Sequence, residues 1–214
     1  GAIAGDLAAV EELYALKQLM TSLGSTNIDC RQDGATLDPS LGRGSYIFNT
    51  GIEKIENADA LLLIGSNPRV EAAVLNARIR KAWRANGMPI GLIGEGGELR
   101  YDYEHLGAGT ETLQEIAEGK GKFAAVLKKA KNPLIIVGQG ALARNDGAAV
   151  LGLAAKLATG LNAVREDWNG FAVLHTAAAR VGALDIGFVP GNSGKNVSAM
   201  MGAMDVLFLA GADE

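Results

Sequence analysis

The sequence has 214 residues, enough for one large α/β domain or two small ones, and 48% of them are apolar, so a sizeable core can form. Its net charge of −4 offers no electrostatic footprint for nucleic acid, and its single cysteine excludes an internal disulfide framework and fits a reducing compartment. No apolar run reaches the roughly 18–20 residues that span a bilayer, which argues against direct membrane insertion.

Asp6 is placed to cap a helix running to about Leu23, with Leu7, Val10, Leu13, Leu16 and Leu19 on its apolar side and Gly24 as its stop. A short strand, residues 26–29, follows, and residues 31–50 read as a long polar loop. Then a pattern recurs. The apolar runs 60–64, 89–93, 134–137 and 206–209 each end at or just before a glycine. Short continuous apolar runs predict strands buried on both faces, as in parallel sheets. Helical stretches are predicted at about 67–86, 110–130, 147–159, 171–182 and 195–204. Strands alternating with helices predict an α/β fold of two doubly wound, mainly parallel-sheet units, over 1–119 and 120–214. No basic-then-apolar leader opens the chain. Gly1 leads straight into a helical pattern and Glu214 follows directly on a strand-like run, so both ends look cut.

Three glycine motifs invite a ligand. Gly65-Ser66-Asn67-Pro68 follows a strand and opens a helix, with Asn67 suited to the N-cap and Pro68 to the first turn. Such a turn stands where parallel sheets bind anions, but on spacing alone a well-capped helix start and nothing more is the favoured reading. Gly138-Gln139-Gly140-Ala141-Leu142-Ala143 matches G-x-G-x-x-A, yet Arg144-Asn145-Asp146-Gly147 interrupts any helix beginning at Gly140. Gly191-Asn192-Ser193-Gly194-Lys195-Asn196 lacks two positions of a phosphate loop: Val189 stands where glycine is required and Asn196 where a hydroxyl should bind magnesium.

Cys30, His105 and His175 are the only soft or imidazole ligands, and none has a partner at chelating spacing. No C-x-x-C pair and no G-x-S-x-G elbow is present. His175, near Phe171, Leu174 and Ala178, reads as a core or interface histidine on a helix. Charge falls in blocks. Arg69, Arg78, Arg80, Lys81 and Arg84 share one helical stretch with only Glu71 against them; seven acids lie in 95–118, and five lysines follow. Such blocks are ordinary solvated faces, or docking surfaces where complementarity fixes orientation.

The stretch from Asp59 to Pro68 resembles the strand-and-turn signature of molybdopterin oxidoreductases, and that from Asn132 to Gly138 resembles the strand opening that family's other wound domain. Within the family, residues 67–72, 76–81, 101–107, 167–171, 174–178 and 187–191 are similar to the large iron–sulfur branch found in respiratory complex I. There are departures. Gly94-Glu95-Gly96 stands where molybdenum enzymes place Asp-Pro-Arg, whose Asp reads the guanine of the cofactor, and Ala108-Gly109-Thr110-Glu111 replaces Pro-Gly-Thr-Asp. The molybdenum-ligating cysteine would fall near Cys30, in a loosely matching context.

The resemblance implies an internal fragment of a subunit of proton-pumping NADH:quinone oxidoreductase, acting as a scaffold. It implies no catalytic residue, no metal ligand and no cofactor in this stretch, with iron–sulfur clusters in an N-terminal part of the parent chain. Gly65, Asn67 and Pro68 would then mark a vestigial pocket. The implied partners are the other peripheral-arm subunits of complex I and the cluster-bearing part of the same chain. The implied location is peripheral, on the cytoplasmic face of a bacterial inner membrane or the matrix side of a mitochondrial one. Two other classes stay open: a cofactor-binding domain of an active molybdopterin-dependent oxidoreductase, and a dinucleotide-binding domain built on Gly138 and Gly140.

Overall fold

The structure, a computed structural model, describes residues 1–212; Asp213 and Glu214, which close the expected second unit, lie outside the described residues. The chain opens with β1 (Ala2–Ala4), α1 (Val10–Ser22) and β2 (Ile28–Asp29). Then come β3 (Ala60–Ile64), α2 (Pro68–Glu71), α3 (Ala73–Asn86), β4 (Ile90–Ile93), β5 (Glu104–Gly107), α4 (Thr110–Ala117) and α5 (Lys122–Lys129). Next are β6 (Pro133–Val137), α6 (Gln139–Leu142), α7 (Gly147–Gly160) and β7 (Phe171–Val173). Last come α8 (Arg180–Asp185), α9 (Val197–Met200) and β8 (Phe208–Ala210).

These elements form two compact units, Ile47–Leu174 and Gly1–Tyr46 with the chain from His175 onward. The boundary therefore differs from the one expected at residue 119. Strand β6 pairs with β3 along its whole length, from Ala60↔Pro133 to Ile64↔Val137, so a cut at 119 would divide one sheet. Strand pairing is non-local, and a reading of successive elements does not see it.

The larger unit carries an all-parallel sheet in the order β5-β4-β3-β6-β7. Leu61 and Leu63 point to one face, with Leu134, Ile136, Ile90, Leu92 and Ala172, and join Leu75, Ile79 and Ala82 of α3 in one core. On the opposite face Gly91, in register with Leu62, meets α5: a Cβ there would lie 2.7 Å from the Phe123 ring. Helix α7 covers β6. Covering both faces explains why β3 and β6 read as unbroken apolar runs.

The predicted helix 110–130 is two helices, because Gly119 and Gly121 adopt positive φ between α4 and α5. The predicted helix 171–182 begins instead as strand β7. Phe171-Ala172-Val173 is fully buried and pairs with Ile135–Val137, and the Gly170 carbonyl and Leu174 N–H extend the ladder. His175 therefore follows a strand and is not on a helix. The polar edge strand β5 and the three-residue β1 are strands the sequence pattern does not announce.

The smaller unit holds a three-stranded parallel sheet, β2-β1-β8, with α1 packed against α8. Asp6 does not cap α1. The helix begins after Ala9, whose N–H donates to the Glu12 carboxylate at 3.0 Å, while Asp6 lies 3.8 Å from the Arg180 guanidinium.

Candidate binding pocket at the sheet switch point

From β3 the larger sheet grows first through β4 and β5 on one side, then through β6 and β7 on the other. The crevice beyond the carboxyl ends of β3 and β6 is thus a topological switch point, where parallel sheets of this kind bind ligands. Backbone meets backbone here. Gly65 has φ +58°, and a Cβ on it would lie 2.5 Å from the Ala141 nitrogen; a Cβ on Gly138 would lie 2.6 Å from the Gly65 carbonyl oxygen. Both positions therefore need glycine, by conformation or by volume.

A cavity of about 630 Å³ opens at this point. Its walls are apolar at Ile64, Ile93, Leu113 and Val150, and polar groups enter from loops after β3, β4, β5 and β6. Of the expected pocket residues, Gly65 and Asn67 line it, whereas Pro68 is buried at the start of α2 and does not. Ser66, Glu71, Glu95, Thr110 and Arg144 also line it.

The hydrogen bonding differs from the expected cap. The Asn67 side chain makes no capping bond, and its Oδ1 is buried without a partner. Glu71 takes the role. Its carboxylate accepts the Ser66 hydroxyl at 2.8 Å and the Asn67 N–H at 2.8 Å, reaching back over the single turn of α2. Asn67 has φ −111° and ψ 86°, and its carbonyl accepts from Val70 and Glu71 at 3.0 Å, so the residue shapes the turn through its backbone.

Across the cavity, Arg144 donates twice to Asp146, at 2.7 and 3.0 Å, and Thr110 Oγ donates to the same carboxylate at 2.6 Å. The Arg144 bonds, then the Thr110 bond, hold Asp146 well below the usual carboxylate range. The loop after β4 is tied down by His105, whose Nε2 lies 2.8 Å from the Gly94 carbonyl, and by Tyr103, which exchanges hydrogen bonds with Gly97.

The other motifs resolve simply. A helix does begin after Gly138, but α6 is one turn; Arg144-Asn145-Asp146 breaks it before α7 starts at Gly147. At 191–196, Asn196 accepts the Ala199 N–H and caps α9.

Cys30 and His175 belong to the smaller unit. Burial pushes the Cys30 thiol up to about 12, so it stays protonated at neutral pH, whereas the thiolate is the form that attacks or ligates. His175 turns Nε2 to the Tyr46 carbonyl, so that nitrogen carries the hydrogen. Arg180, 2% exposed, meets Asp33 at 3.1 Å.

A family model for molybdopterin oxidoreductases matches residues 1–214. The chain is 47% identical over 208 residues to a mitochondrial NADH dehydrogenase (ubiquinone) iron-sulfur protein 1 from Solanum tuberosum, covering 95% of this chain and 28% of that one. It is 43% identical over 212 residues to an NADH-quinone oxidoreductase subunit of Rickettsia conorii, covering 99% of this chain and 30% of that one. The subunit of the same name in Rickettsia bellii is 43% identical over 213 residues, with 100% of this chain and 30% of that one covered. The chain thus spans 28–30% of the length of these curated relatives. Among solved structures, the formyltransferase/hydrolase complex of Methylorubrum extorquens, in complex with methylofuran, superposes with TM-score 0.53 at 22% identity. That match covers 88% of this chain and 58% of the other, and at such identity it concerns the fold alone.

Proposed function

The chain belongs to the molybdopterin oxidoreductase family, and from that premise we propose that it is a scaffold within the large subunit of an NADH:quinone oxidoreductase. The observation that carries this reading is identity of 43–47% to such subunits over nearly the whole chain. On this reading the stretch holds no redox centre. It braces the cluster-bearing part of its own polypeptide against other peripheral-arm subunits, on the cytoplasmic or matrix side of the membrane. Two features support it. Among the described residues no helix is long and apolar enough to cross a membrane. The α/β unit of Ile47–Leu174, with strands buried on both faces, is suited to holding neighbours at fixed separations.

The basic helix offers the test. Arg78 and Lys81 pair with Glu56, and Arg69 with Glu98, so these cations support the unit itself. Arg80 and Arg84 are exposed one turn apart on α3 and form no ion pair with an acid among the described residues, although Arg80 Nε donates to the Arg100 carbonyl at 3.1 Å; they are the better candidates for docking. Reversing both, Arg80→Glu with Arg84→Glu, in the full-length subunit is expected to lower the amount of assembled complex per membrane protein. NADH oxidation per assembled complex should stay unchanged. Normal assembly with a collapse of turnover per complex would overturn the scaffold reading.

A further inference from the structure

The switch-point cavity is large enough for a nucleotide-sized molecule, since ligand pockets run from about 300 to 1,000 Å³. A phosphorylated ligand there needs N–H and O–H donors and a net positive surround. Around β3 the cavity has the opposite character, although the first turn of α4, at Gly109 and Thr110, also borders it. Its turn after β3 presents a hydroxyl at Ser66 and an N–H at Asn67, and both donate to one carboxylate, that of Glu71. A second carboxylate, Glu95, lines the same space. Arg144 is the one Lys or Arg among the described lining residues, and both its forked bonds go to Asp146. The Asn67 Oδ1 is buried beside them without a partner, so this side chain offers no settled donor to a phosphate. Helix α2 is a single turn and adds little dipole.

We infer that Glu71 is a built-in occupant of this cavity: its side chain takes the two donors that an anionic ligand would use and closes the site to phosphorylated cofactors. The pterin dinucleotide implied by the family does not fit this donor set, and the reason is a residue of the chain itself. The inference stands apart from the scaffold reading, because it concerns what the cavity rejects and would hold whichever complex the chain joins.

Calorimetric titration of inorganic pyrophosphate and of GDP into the chain tests it, with Glu71→Gln alongside. Glutamine keeps the shape, removes the charge and can accept through only one oxygen. The wild-type chain is expected to show no saturable binding below about 1 mM, and the variant to bind pyrophosphate at least about tenfold more tightly. Wild-type binding well below that concentration overturns the inference. So does a variant that melts cooperatively yet gains nothing. Should the variant not fold, hydrogen exchange on the wild-type chain decides. The Asn67 N–H should be protected, and added pyrophosphate should leave that protection unchanged. Free exchange at Asn67, or protection that rises with pyrophosphate, overturns the proposal.

Discussion

A histidine withdrawn from water favours its neutral form, and His175 is such a residue. Burial lowers its pKa below the ordinary 6.5, the neighbouring Arg180 charge lowers it further, and the Tyr46 carbonyl and Asp33 pull the other way. The folded chain therefore binds this proton less readily than the unfolded one. The sign follows: the contribution to stability is full above about pH 6.5 and is lost as pH falls toward the folded-state value. Urea midpoints between about pH 5 and pH 7 should drop on acidification in the wild type, and less steeply in His175→Gln. Parallel slopes would mean that His175 titrates as it does in the unfolded chain. The same scale shows where the sequence was readable. Gly65 and Asn67 were legible as pocket residues because strand, glycine and capping residue follow one another in the chain. Glu71 was not, because it stands four residues from Asn67, one more than the capping box spaces its partners. Asp146 and Thr110 meet across 36 positions, which no local pattern encodes.

Among the elements, β3 carries the larger unit. All five of its residues are buried, and it pairs with a strand on each side. Leu63 sits in the core shared with α3 and β6. Leu63→Ala should therefore cost about 2–5 kcal/mol of unfolding free energy, the range for emptying a leucine site in a packed core. Chemical denaturation would measure it, and a loss under about 1 kcal/mol would show that the site collapses around the gap. Strands such as β3 and β6 are legible because a continuous apolar run ending in glycine has few other meanings. Strand β7 is not: Phe171-Ala172-Val173 followed by alanines suits a helix until β6 offers its open edge. Strand β1, three residues long, pairs with a strand about 200 positions away and has no local signal at all.

For the whole molecule, the proposal that this stretch bears no redox centre has a direct check. Elemental analysis of the purified chain should find molybdenum and iron far below about one atom per chain, and stoichiometric content of either would overturn it. Two wound units were legible in the sequence, but their boundaries were not. The chain leaves the smaller unit after Tyr46 and returns at His175, so that unit is built from two distant pieces and a linear reading divides it wrongly.

The contact between Gly65, Gly138 and Ala141 bears on how such a chain can diverge. No side chain fits where the β3 and β6 turns touch, so selection for folding alone keeps both glycines in place. The surrounding polar positions are held by hydrogen bonds and not by volume, a weaker constraint on which side chain stands there. A lineage can thus lose a ligand entirely and still retain the glycine signature of the site that once held it. In this fold the glycine pair records how closely two backbones pass, while what the crevice can bind is decided by the side chains around them.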